Sequence, residues 1–317
     1  MRREAKQQRT ATTARVQGYH EGGCGENYAF QGFEGNYYFN SDRVIRLDEH
    51  YRRADGQPMQ GFGLEIETEC NGITSDAALA TVYEKVIFPE FKFGAKMFKM
   101  QRDATLNGSS NAEVITQVMT KLRIRNDYAA YKLMFNHYFP LFGIRSDCYA
   151  SGCGCGMHVN VSNGVFGKTV EAQELAIRKL YYIINRHYDF ALRLFYRNPA
   201  RTNWCRQMDY TVARTMDLHN MPSSHGNCFN GSHYDAGRIE LRIVGGQKDF
   251  GCFRNTMESV FFLCERVRSL SWADCDDIAK IFAGCNQYVF DRLKTKCNLS
   301  PETLEAIRAT VVREELL

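Results

Sequence analysis

The chain has 317 residues, of which 44% are hydrophobic, 24% charged and 13% aromatic, a balance that excludes a disordered chain or a coiled coil for its bulk. Lys plus Arg is 40 against 36 Asp plus Glu, a net charge of +4, and Arg2, Arg3, Lys6, Arg9 and Arg15 against Glu4 account for the whole excess. The remaining body is formally neutral, so a surface built to neutralise many phosphates is not expected and nucleic acid is not an expected partner.

No window approaches the run of about 20 apolar residues that a membrane span needs, and no apolar region follows the N-terminal charges. A cytoplasmic protein with no membrane partner is expected. Twelve cysteines are scattered along the chain without a C-x-x-C pair, which gives a structural zinc site no support from spacing. Cys264, amid Phe261, Phe262 and Val267, reads as a small buried hydrophobe.

Residues 1–20 read as a disordered basic tail, and 21–60 as a Gly/aromatic-rich N-terminal segment. Within that segment, N-Y-A-F at 27–30 and N-Y-Y-F at 36–39 flank a turn and predict a hairpin. From 61 to 317 no linker or composition shift interrupts the chain, which predicts one domain with a helical C-terminal part.

The first strand expected in that domain is GFGLEIETE at 61–69, where Leu64, Ile66 and Thr68 alternate with Glu65, Glu67 and Glu69. A helix is expected over 76–88. Strands at 98–106 and 112–118 follow, bringing Asp103 and Glu113, and then a helix at 125–139. C-G-C-G at 153–156 offers a metal or redox pair, but reads first as a tight glycine lead into the strand GMHVNVS, whose His158, Asn160 and Ser162 alternate with Met157, Val159 and Val161. The 171–196 stretch has helical spacing of Leu175, Leu180, Ile183, Ile184, Phe190 and Leu194. In R-I-E-L-R at 238–242, Ile239 and Leu241 alternate with Arg238, Glu240 and Arg242, and a helix over 253–270 follows. Ser300 before Pro301 is an N-cap with proline at the first helical position, opening a final helix.

Residues two apart on a strand share a face, so each of the three motif strands offers one apolar and one polar face. Taken singly, such a row of glutamates is the solvated side of an antiparallel sheet. Three such strands in one chain predict instead a polar, charge-rich side of one sheet. Like charges this close repel unless a cation or an arginine compensates. A face holding Glu65, Glu67, Asp103, Glu113 and Glu240 with a single His158 is hard-ligand chemistry, suited to magnesium or manganese. Arg238 and Arg242 are placed to hold phosphate oxygens beside them.

Together G-L-E-I-E-T-E at 63–69, D-A-T-L at 103–106 with A-E-V-I-T at 112–116, C-G-M-H-V-N-V at 155–161, and R-I-E-L-R-I at 238–243 with its trailing G-G resemble the amidoligase family. That family is a phage and bacterial branch of the glutamine synthetase and glutamate-cysteine ligase superfamily. The resemblance spans about 61–250 and keeps motif order. It implies an α+β fold, with a curved, mostly antiparallel sheet of the glutamine synthetase type and helices on one face. It also implies an ATP-dependent carboxylate-amine ligase using two or three magnesium or manganese ions, with amino acid or peptide substrates.

Carried over by position, Glu67, Asp103 and Glu113 resemble the ligands of one metal, and Glu65, His158 and Glu240 the set that holds the metals bridging the nucleotide phosphates. Arg242 resembles the arginine that stabilises the transferring phosphoryl group, with Glu240 and Arg242 as the catalytic pair and Arg238, Asn160 and Arg242 toward the nucleotide. R-T-N-W-C at 201–205 resembles a segment whose arginine, here Arg201, faces the substrate, and Asn230 resembles an asparagine before the last strand. The chain departs from the family where Asn160 replaces a second histidine and where Ala-Thr follows Asp103 in place of Gly-Ser. Two other classes stand beside this reading. One is a binding module that keeps the fold without activity, and the other a metal-dependent hydrolase using His158 with His225 or His233.

Overall fold

A period-two pattern with one apolar face makes a sheet that needs helices on one side, and the computed structural model has that arrangement. It describes residues 60–312 except 93, 104, 107, 108, 222, 223 and 225, together with the strand backbone at 27–28, 38–40 and 43–45. The tail at 1–20 and most of the 21–60 segment lie outside the described residues.

The strands are β1 (Asn27–Tyr28), β2 (Tyr38–Asn40), β3 (Arg43–Ile45), β4 (Phe62–Cys70), β5 (Phe98–Gln101), β6 (Ser110–Thr116), β7 (Ile144–Arg145), β8 (Met157–Ser162), β9 (Phe229–Asn230) and β10 (Arg238–Leu241). Eight of them form an open sheet in the order β1-β5-β6-β4-β8-β10-β9, with β7 also on β4. Every strand pair is antiparallel. The expected 27–30 to 36–39 hairpin lies mostly outside the described residues. Asn27 and Tyr28 pair with Gln101 and Met100, while β2 pairs with β3.

The helices are α1 (Asp76–Val82), α2 (Lys121–Asn126), α3 (Tyr128–Leu133), α4 (Phe139–Phe142), α5 (Val170–Arg186), α6 (Tyr188–Leu194), α7 (Phe250–Arg266), α8 (Ile278–Phe282), α9 (Gln287–Lys296) and α10 (Pro301–Arg308). Side-chain caps start several of them: Thr169 on α5, Asp249 on α7, Asn286 on α9 and Ser300 on α10 each accept from a backbone N–H in the first turn. The 171–196 periodicity yields two helices, because His187 leaves helical geometry at φ −111° and ψ 44°. Its ring Nε2 lies 3.0 Å from the Cys275 carbonyl.

The apolar faces of the motif strands meet α5 and α7 as expected. Leu64, Ile66, Val114, Val159, Val161, Ile239 and Leu241 are fully buried in one cluster with Ile177, Leu180 and Ile184 of α5 and Phe253, Met257 and Phe261 of α7. The Phe62 and Phe261 rings meet edge to face at 4.7 Å. Full burial of each such aliphatic side chain contributes about 1.5–3 kcal/mol, so this layer holds the sheet flat against the helices and leaves its other face for chemistry. No helix among the described residues is long and apolar enough to cross a membrane.

Candidate metal centre

Strand register builds the site. Glu67 stands directly across from Glu113, Glu65 across from His158, and Glu240 across from Asn160 on one side and Asn230 on the other. Since facing residues in an antiparallel pair share a side of the sheet, five strands contribute to one polar face. That face is not solvated. Glu65, Glu113, His158, Asn160, Arg238 and Glu240 are all buried, as are Glu67, Asp103 and Arg242 with slight exposure. Ile115 stands across the ladder from Glu65 and is itself buried, so an apolar group adjoins the acids.

His158 is the hub. Its Nδ1 lies 3.2 Å from Glu65 Oε2 and 3.4 Å from Glu240 Oε1, while Nε2 lies 3.5 Å from Glu67 Oε1. Ligand atoms of Glu65, Glu113 and His158 all fall within 4.8 Å of one another, a spacing that one cation can bridge. Asn160 Nδ2 donates to Glu65 Oε1 at 2.7 Å, and Asn230 Nδ2 to Glu240 Oε2 at 2.8 Å. Arg242 Nη1 donates to Glu240 Oε1 at 2.7 Å and lies 3.5 Å from His158 Nδ1. Asp103 is held by the backbone N–H and hydroxyl of Thr105 on its Oδ1, at 2.8 and 2.7 Å.

The electrostatics divide the acids into two kinds. Burial pushes the Glu67 carboxyl up; His158 opposes this, and the charges of Asp103 and Glu113 add to it. Burial also works to raise Glu240, but Arg242, His158, the Asn230 hydrogen bond and Arg238 outweigh it and hold that carboxyl down at about 2. Burial lowers Arg238 to about 9 against the pull of Glu240. Among the described side chains, the buried cations beside Glu65, Glu67, Asp103, Glu113 and Glu240 are Arg238, Arg242 and Arg197. The acids outnumber the guanidiniums.

Arg197 is the site residue that strand periodicity could not reveal. Helix α6 ends in a Schellman turn, with Arg197 N bonded to Leu192 O at 2.7 Å and Tyr196 N to Arg193 O at 3.3 Å. Tyr196 takes the left-handed position at φ 58°, where glycine is usual. The turn delivers the buried Arg197 to Gly156, where a Cβ would stand 2.9 Å from Arg197 Nη1, 3.2 Å from Glu67 Oε2 and 3.5 Å from His158 Nε2. Gly156 also donates its N–H to Glu67 Oε2. The glycine at 156 is therefore a close-approach position at the site. Gly245 serves the same turn from the other side: a Cβ there would collide with the Tyr196 carbonyl.

Two expected participants stay apart. Arg201 is half-buried in the loop after α6, and among the described residues no hydrogen bond or ion pair ties its side chain to the acids. His225 lies outside the described residues. His233 joins neither set of described side chains spaced to hold a metal. Comparison with known proteins adds no relative: no family model matches the chain, and no curated protein matches it.

Proposed function

We propose that the protein is an ATP-dependent carboxylate-amine ligase that forms an amide or isopeptide bond through an acyl phosphate, on a sheet of the glutamine synthetase type. One observation carries the reading: the buried carboxylates of Glu65, Glu67, Glu113 and Glu240 gather around His158 and Arg242, with Asp103 acting on Glu67. Oxygen donors with one imidazole fit magnesium or manganese. Glu65, Glu113 and His158 would hold one ion, with Glu67, Asp103 and Glu240 at its flanks. Bound ions would supply charge neutralisation for the triphosphate and the reacting carboxylate.

The chain's own groups then have defined tasks. Arg242, anchored by Glu240, presents a fixed positive charge where phosphoryl oxygens develop charge. Asn160 and Asn230 fix the orientation of Glu65 and Glu240 by donating to their outer oxygens. Arg238 adds a second buried cation on the same strand face for the nucleotide. The surrounding burial excludes water, which protects an acyl phosphate from hydrolysis. No enzyme nucleophile is required.

The test is incubation with ATP, magnesium and pools of amino acids or peptidoglycan-type peptides, with mass spectrometry for condensed products and for ADP. Condensed product that needs both ATP and a divalent ion supports the ligase. ATP bound with equal affinity in magnesium and in EDTA would remove the metal-bridged reading.

A further inference from the structure

We propose that Glu69, Cys153 and Cys155 form a second metal site, for a thiophilic divalent ion such as zinc, beside the oxygen-rich centre and independent of the ligase reading. The three side chains are fully buried, and their ligand atoms lie within 4.8 Å of one another. Two sulfurs each about 2.3 Å from a tetrahedral zinc stand about 3.8 Å apart, so the two thiols need a closure of at most about 1 Å to bind.

The backbone sets the thiols up for this. Ser151, Gly152 and Gly154 are exposed while Cys153 and Cys155 are buried, so the segment turns both sulfurs inward at a spacing of two residues. Gly154 N–H donates to Glu69 Oε1 at 3.2 Å and orients the carboxylate toward them. Other buried cysteines differ: Cys264 lies in the large apolar cluster of the sheet and helices, whereas Cys153 and Cys155 sit with Leu106 in a small separate cluster against a buried acid. As plain hydrophobes they would gain nothing from that acid.

Charge and proton balance are consistent with a divalent ion. Binding forms two metal–sulfur bonds and one metal–oxygen bond, and the two thiol protons leave to solvent. The dication with two thiolates and one carboxylate carries one net negative charge, and Arg145 Nη2, 3.6 Å from Glu69 Oε2, offsets it. Three protein ligands leave one tetrahedral position to water. Because two protons are released, affinity rises with pH.

The test uses the full chain, stripped with chelator and loaded with one equivalent of zinc. X-ray absorption at the zinc edge should show two sulfur scatterers at about 2.3 Å; a shell of only oxygen and nitrogen, or no retained zinc, overturns the proposal. With cobalt, a thiolate charge-transfer band is expected that C153S and C155S each abolish, with zinc affinity reduced by more than about 100-fold, beyond the loss typical of an outer partner. Glu65→Gln should keep the band, since it alters only the oxygen-rich centre. A band that survives in both serine variants, or that Glu65→Gln removes, also overturns it. Should a serine variant fail to fold, the wild-type zinc spectrum still decides.

Discussion

Two carboxylates buried to a similar degree behave in opposite ways. Glu258 of α7 accepts from Arg125 Nε at 2.8 Å, Tyr128 Oη at 2.7 Å and Asn286 Nδ2 at 2.9 Å. Burial works to raise it, but Arg125, Tyr128 and Asn286 outweigh that and lower its pKa. Glu67 of β4 faces Glu113 across the ladder, with Asp103 nearby, and its pKa is raised. The difference teaches what burial of a charge is for. Glu258 is matched by donors from three other segments and ties α2, α3 and the start of α9 to α7. The acids around His158 are set against one another, an arrangement that costs stability unless a cation binds.

The largest expected effect breaks the matched site. Glu258→Ala strands Arg125 in a half-buried position and should cost about 3–5 kcal/mol of stability, read by urea denaturation. A loss below about 1 kcal/mol would show that Glu258 is surface pairing. Next comes Glu240→Gln, which removes the carboxylate that Arg242 and Arg238 hold charged and should lower the urea midpoint while the chain still folds. It should reduce product formation by about 100-fold or more, several kcal/mol of transition-state stabilisation. Wild-type turnover would remove Glu240 from the centre.

Gly156→Ala should push Arg197 away from Glu67 and cost about 1–3 kcal/mol, with turnover falling further than stability explains. Arg201→Lys is the contrast: with no tie to the acids, it should leave KM for ATP unchanged, and a rise in the KM of the carboxylate donor alone would assign it to the substrate. In metal-free protein Glu67→Gln should be neutral or stabilising by up to about 1 kcal/mol, since it removes a like-charge pair.

The sign of the pH dependence follows from the same groups. The native state binds a proton on Glu67 more tightly than the unfolded chain does, so this contribution is present below the ordinary carboxylate range and is lost as pH rises from there through the raised native pKa. Glu240 runs the other way, contributing above that range and losing its share as pH falls toward about 2. Thermal unfolding of the metal-free wild type and Glu67→Gln across that range should show the rising-pH loss only in the wild type, and magnesium should remove it. The smallest effect is expected from deleting residues 1–15, which hold no candidate ligand; a truncated protein that fails to turn over would place the tail in the site.

Much of the site was legible because strand alternation is a local property. Glu65 and Glu67 share a face with each other by spacing alone, as do His158 and Asn160, and Arg238 and Glu240. Their apolar counterparts predicted the helix-covered side, and the caps at Ser300 and Pro301 announced α10. Helices α8 and α9 were not anticipated, being short segments after turns. The break at His187 was also hidden, because residues on both sides continue the same apolar spacing.

Sequence by itself determined which residues sit on which face of each strand, since a period of two follows from the pleat of the backbone. Tertiary structure alone decided register, burial and closure. Pairing placed Glu67 opposite Glu113 and Glu65 opposite His158, and no local pattern specifies which strands become neighbours. It buried a glutamate row that would be solvated on an isolated sheet. It also brought Arg197 from a helix end, and Cys153 and Cys155 from a glycine-rich loop, to the acids of β4, through contacts between segments tens of residues apart in the chain. Such contacts depend on the whole packed core, and so they had no signature in any single stretch of sequence.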